Sequence, residues 1–95
     1  MRRFEIDRDA RQDLDDIYQY IAQDSRRNAR RMLSRLRERF HLLAKNPEMG
    51  ERRDDLMPGL RSLTLGSYVV FFRPQPYGVE IVRVIHGARD IDQLF

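Results

Sequence analysis

The stretch VEIVRVIHGARDID, residues 79–92, sets one histidine, His86, and two arginines, Arg83 and Arg89, where an apolar run stops. Those residue types can act on a phosphodiester. Cleaving RNA through its 2′-hydroxyl needs a base for that proton, an acid for the leaving oxygen and cations for the phosphate. The only other histidine, His41, falls on a helix away from its apolar stripe and reads as solvated. Alternation along a regular strand argues against a tidy site. Glu80, Val82, Val84 and His86 share one face, and Val79, Ile81, Arg83 and Ile85 the other. Arg83 and His86 then point apart unless the strand bends at Ile85. The plainer reading has His86 bonding backbone at a strand end and Asp90 pairing with an arginine.

Other chemistries have less support. The 95 residues include no cysteine, so disulfides and thiolate metal sites are excluded. Asp13, Asp15 and Asp16, like Asp54 and Asp55, crowd together along the chain without the spacing of a metal loop or a His-x-x-x-His pair. The five glycines are scattered turn residues, not a phosphate loop. No metal and no cofactor are expected.

The elements that must position these residues follow from periodicity. RRFEI alternates as a short first strand. Asp7 offers an N-cap, and Leu14, Ile17, Tyr18 and Ile21 form one face of an amphipathic helix, with Asp9 and Asp13 early in it where carboxylates suit the helix dipole. After QDSRRN, with Asp24 or Ser25 as cap, Ala29, Met32, Leu33, Leu36, Phe40 and Leu43 make a second stripe that ends at KNP. PEMGERRDDLMPG is a polar connection. LRSLTL alternates, Gly66 turns, YVVFF reads as a buried central strand, PQPYG turns again, and VEIVRVI is the last strand. GARDIDQLF is a short helix or an extended tail. The order β-α-α-β-β-β predicts an α+β fold: one domain over 1–95, with an N-terminal strand and a helical hairpin packed on a small antiparallel sheet. Helices on one sheet face leave the other needing a cover, from the tail or from another molecule.

Charge is unevenly spread. The net charge is +3, but residues 1–24 carry four arginines against seven acids, while residues 25–45 carry seven arginines and a lysine against Glu38 alone. Arg26 and Arg27 sit in the first helical turn, where positive charge opposes the dipole. Neutralisation by the acidic first helix is one account; an acidic partner peptide meeting Arg26 and Arg30 is the other. Aromatic stacking platforms are absent from the basic helix, so no sequence-specific nucleic-acid binding is expected. The opening MRRFEIDRDA holds no signal-peptide core, and no run approaches the roughly eighteen apolar residues of a membrane span, so a soluble cytoplasmic protein is expected.

DLDDIYQYIA, NPEMGERRDDLMPGLRSLTLGSYVVFFR and VEIVRVIHGARDIDQLF, in that order, resemble the ParE branch of the RelE/ParE superfamily, toxins of bacterial type II toxin–antitoxin modules. The marks are Asn46-Pro47 through Gly50, Pro58-Gly59-Leu60-Arg61, Tyr68 to Arg73, and Arg83 to Asp90. The resemblance implies a cognate ParD-like antitoxin whose C-terminal segment wraps the toxin, a hetero-oligomer with it, and DNA gyrase as a target inhibited by binding. It also implies a binding surface that includes Arg26, Arg30, Leu36, Arg61, Tyr68, Arg83, His86, Arg89 and Asp90, with Leu94 and Phe95 as apolar contacts. The sister RelE branch cleaves mRNA on the ribosome. Carried over, that chemistry would use Arg61 and Arg83 on phosphate and His86 loosely for proton transfer, but this chain ends in Phe95, which transfers no proton. A degenerate module that binds its antitoxin without toxicity is the third alternative.

Overall fold

The computed structural model describes residues 2–89 and 91–95, and Asp90 lies outside the described residues. Strand β1 (Arg3–Ile6) leads into helix α1 (Arg8–Ala22), and a short turn leads to helix α2 (Arg26–Lys45). Asp7 occupies the N-cap of α1 with extended backbone but makes no side-chain cap bond. Ser25 does cap α2, its hydroxyl accepting from the Asn28 N–H at 3.1 Å. At the far end the Asn46 side chain donates to the Leu42 carbonyl at 2.9 Å, and Pro47 follows.

The polar connection then contributes a two-residue strand, β2 (Glu51–Arg52), unannounced by any periodicity. Strands β3 (Arg61–Leu65), β4 (Tyr68–Gln75) and β5 (Gly78–His86) follow as a meander, and a 3₁₀ turn (Ile91–Leu94) begins the tail. The five strands lie in the order β1-β5-β4-β3-β2, so the YVVFF strand is central as expected. The sheet is antiparallel except at one edge. There β1 runs parallel to β5, pairing Arg3 to Ile6 with Gly78 to Ile81. The pairing is close enough that a side chain at Gly78, whose φ is +145°, would collide with the Arg3 carbonyl.

Both helices cover one sheet face. Ile17, Leu36, Phe40 and Leu43 meet Val70, Phe72, Val79, Ile81 and Val84 there, with Ala10 and Ala44 buried in the same layer. Each large side chain buried in that layer contributes about 1.5–3 kcal/mol. The opposite face carries a smaller core of Leu60, Phe71, Val82 and Ile85, covered by Leu56, Met57, Ile91, Leu94 and Phe95. The chain's own tail therefore supplies much of the cover that the bare face required. Among the described residues no helix is long and apolar enough to cross a membrane.

Candidate functional site

Strand β5 does not alternate regularly. Phe71 pairs with Arg83 and Phe72 with Ile81, leaving Val82 as an extra, bulged residue. Val79, Ile81 and Val84 thus face the helices, while Val82 and Ile85 face the tail. The break falls at Val82, not at Ile85, and it returns His86 to the helix side beside Val84. In a run as uniformly apolar as VEIVRVI nothing marks where such a bulge occurs.

The bulge lies where β5 loses its neighbour. The β1 ladder ends at Ile6 and Ile81, and the Asp7 N–H closes it on the Ile81 carbonyl at 3.0 Å. Beyond that point α1 takes the place of a strand. Asp13, 6% exposed, accepts the Val84 N–H at 2.9 Å through Oδ2. Its two oxygens also receive the Arg83 guanidinium, Nε to Oδ2 at 2.8 Å and Nη2 to Oδ1 at 2.9 Å. The hydrogen bond with Asp13 raises the already high Arg83 pKa, so the guanidinium stays charged. Arg83 is thus turned inward onto a carboxylate.

Arg61 is committed as well. Its Nη2 donates to the Glu48 carbonyl at 2.6 Å and the Gly50 carbonyl at 3.2 Å, and its Nε to the Met49 carbonyl at 3.0 Å. One planar guanidinium therefore ties three successive carbonyls of the turn before β2. Gly50 is needed beneath it, with φ at +78°, because a side chain there would strike the Ser62 carbonyl.

His86 is exposed. Its Nδ1 accepts the Ala88 N–H at 3.1 Å, so the neutral ring carries its proton on Nε2, and its ring stands edge-on to Tyr68 with centroids 5.6 Å apart. A cleft of about 330 Å³ opens here, lined by Asp13, Asp16, Ile17, Tyr20, Tyr68, Val84, Ile85, His86 and Arg89. Its floor is apolar and its rim charged. Burial, with a smaller contribution from Tyr20, raises the Tyr68 pKa and keeps its hydroxyl protonated. Tyr20, 72% exposed, stands at the rim as the most exposed large hydrophobic residue described. Neither it nor Asp13 is distinguished by a motif. A signal existed for Asp13, which sits three residues after Ala10 and four before Ile17, on the buried stripe of α1.

The expected binding residues thus divide. Tyr68, His86 and Arg89 come together at the cleft, with Arg83 behind Asp13. Arg61 lies apart, near Glu48, Arg52, Asp54, Gly59 and Pro74. Arg26 and Arg30 border a separate hollow with Tyr18, Gln19, Ala22 and Gln23. Leu94 and Phe95 pack on the opposite sheet face, where the Phe95 ring lies 4.9 Å from that of Phe71. Leu36 is a correction: it is fully buried between the helices and the sheet, so it belongs to the core and offers no surface. Among the described residues no arginine of α2 makes an ion pair; on α1, Asp13 is taken by Arg83 and Asp16 accepts from Gln12. His41, exposed on α2, rests edge-on against Phe4 at 4.9 Å.

A two-helix layer on one face of a small mixed sheet, with its tail on the other, is a RelE/ParE-like fold. The fold matches a chain described as the chromosomal ParDE TA system from P. aeruginosa, with a TM-score of 0.74 and 27% identity, covering 90% of this chain and 96% of that one. The chain belongs to the family of the ParE toxin of type II toxin–antitoxin system, parDE, whose pattern matches residues 4–91. It is 36% identical over 89 residues to Toxin ParE1 of Caulobacter vibrioides, covering 93% of this chain and 92% of that protein. It is 39% identical over 62 residues to Toxin ParE1 of Mycobacterium tuberculosis, a match that spans 61% of this chain and 63% of that relative.

Proposed function

We propose that this protein inhibits DNA gyrase by binding it, and that a cognate ParD-like antitoxin neutralises it by covering apolar surface and the rim of the cleft. The observation that carries this reading is the internal commitment of Arg61 and Arg83. Each guanidinium is spent on acceptors within the chain, three carbonyls in one case and a carboxylate in the other. A ribonuclease would need those cations on a phosphate beside His86, yet they line different parts of the molecule. What remains accessible around His86 suits adhesion: an apolar floor, two tyrosines, and charges of both signs at the rim. Family membership supports the same reading.

Under this proposal Tyr68, His86 and Arg89 belong to a protein-binding surface, with Leu94 and Phe95 on the tail and Arg26 and Arg30 at an antitoxin contact. Asp90, outside the described residues, remains part of the proposed surface on sequence grounds alone. The test is plasmid supercoiling by purified gyrase, which should fall as the purified protein is added. Unchanged supercoiling at large excess, with discrete mRNA cuts by primer extension that vanish in His86→Ala, would replace this reading with the ribonuclease. Normal colony formation after induction without antitoxin would instead indicate a binding module without toxicity.

A further inference from the structure

The basic helix holds a feature that the toxin reading does not use. Arg27, Arg31, Arg35 and Arg39 recur at i, i+4, i+8 and i+12 of α2. At 1.5 Å per residue this makes a ridge about 18 Å long with a guanidinium roughly every 6 Å. Arg27, Arg31 and Arg35 are exposed and Arg39 is half-buried. Among the described residues none of the four has an ion-pair or side-chain hydrogen-bond partner, whereas Arg3, Arg52, Arg53, Arg61, Arg73 and Arg83 all do. Folding gains nothing from the arrangement. Like charges at i and i+4 repel along a helix, and Arg27 in the first turn opposes the dipole. A row of charge that the fold itself disfavours is expected where something outside the chain offsets it.

We infer that this ridge docks on the sugar–phosphate backbone of duplex DNA, without reading sequence. Successive phosphates along one strand recur at nearly the spacing of the guanidinium groups, and each planar guanidinium can engage two phosphate oxygens. An acidic protein segment fits less well. Protein interfaces are anchored by buried aromatic and aliphatic side chains, and little such surface borders the ridge: its exposed neighbours on α2 are Asn28, Ser34, Glu38, His41 and further arginines, with Leu42 and a small hollow holding Ile21 and Met32 as the apolar ground. Single strands are held by stacking on aromatic side chains, and the one exposed aromatic ring of α2, His41, rests edge-on against Phe4. Arg26 and Arg30, proposed for the antitoxin, lie on the other flank, so the two contacts use different sides of the helix.

The test is fluorescence anisotropy of the full chain with a labelled duplex of arbitrary sequence, about 20 base pairs long, between about 50 and 200 mM KCl. Binding should weaken with salt at a log–log slope of roughly −3 or steeper, the signature of three or more neutralised phosphates. The variant R27Q/R31Q/R35Q should bind at least about tenfold more weakly and flatten that slope. R8Q/R11Q/R52Q, which removes the same net charge from exposed positions elsewhere, should bind as the parent does. Equal losses in the two variants would reduce the effect to net charge and overturn the inference. So would absence of duplex binding at low salt, or tighter binding to polyglutamate, to the single strand or to the RNA duplex of the same sequence. No gyrase or antitoxin is present in this assay, so its failure leaves the toxin reading untouched.

Discussion

Asp13 on α1 and Arg83 on β5, 70 residues apart in sequence, form a two-pronged ion pair whose carboxylate also accepts the Val84 N–H. Strand β1 is too short to accompany β5 to its end, and the carboxylate takes over as the edge partner where the ladder stops. The pair fastens the helical layer to the sheet at the bulge, and so fixes the wall of the cleft that holds Tyr68, His86 and Arg89. An arginine that sequence reasoning offers to a phosphate is instead part of the frame.

A structural role for this pair predicts a particular mutational pattern. The Asp13 side chain is 7% exposed and that of Arg83 18%. Removing either partner leaves a poorly hydrated charge, so Asp13→Ala and Arg83→Ala should each destabilise the fold by about 3 kcal/mol. The double variant should lose clearly less than the two single losses together. Urea denaturation followed by circular dichroism measures this. Arg83→Ala that retained full stability while losing function would return Arg83 to the role of a ligand contact.

Arg61 makes a parallel case with neutral acceptors. Arg61→Ala frees the carbonyls of Glu48, Met49 and Gly50 and should cost about 2 kcal/mol. Arg61→Lys should recover only part of this, because an ammonium on a flexible stem does not reproduce the planar fork. Faster hydrogen exchange should be confined to the turn before β2 and to the β2–β3 pairing. Full recovery by lysine would show that charge alone matters there.

The helices, the central strand and the apolar stripes were legible because their periods are strong and their burial one-sided. Asn46-Pro47 and Ser25 likewise announced the limits of α2. What escaped prediction depends on partners distant in sequence. The parallel pairing of β1 rests on a free edge of β5 that only the folded sheet defines. The bulge at Val82 hides in a run of apolar residues. Asp13 satisfies two rules at once, a carboxylate early in a helix and a position on the buried stripe, and only the second leads to Arg83. The need for apolar cover on the second sheet face was legible, but not whether the tail or another molecule supplies it, which only the placement of Leu94 and Phe95 on that face decides.

A second carboxylate cluster predicts a pH effect. Burial, then the hydrogen bond and charge of Glu80, raise the Asp7 pKa from 3.8 to about 6, against the pull of Arg73 and with a small push from Asp9. Burial acts on Glu80 in the same direction, but its hydrogen bonds with Asp7 and Arg73 outweigh it and hold its pKa below the usual value. Asp7 therefore binds its proton more tightly folded than unfolded. Its contribution is fully present below about pH 4 and is lost as pH rises through about 6. Asp7→Asn keeps a neutral donor towards Glu80 and makes no change to a cap bond, because Asp7 makes none. The variant should gain on the order of 1 kcal/mol over the parent at pH 7 relative to pH 4. A pH-independent difference between the two proteins would refute the assignment.

The tail provides the sharpest separation between cover and contact. Deleting Leu94 and Phe95 uncovers Phe71 and Ile85 and should lower stability by about 1–3 kcal/mol. If the tail also meets the target, growth inhibition should fall further than in a variant lacking Arg26 and Arg30, whose side chains lie on the far side of the helical layer. Phe95→Leu distinguishes the two roles. Leucine retains most of the apolar area over Phe71 and should keep the melting temperature within a few degrees of the parent, whereas a target that grips the ring would bind it more weakly. Gyrase inhibition by Phe95→Leu equal to that of the parent, with toxicity of the truncated chain lost only in proportion to folded protein, would make the tail cover alone and move the target contact to the cleft.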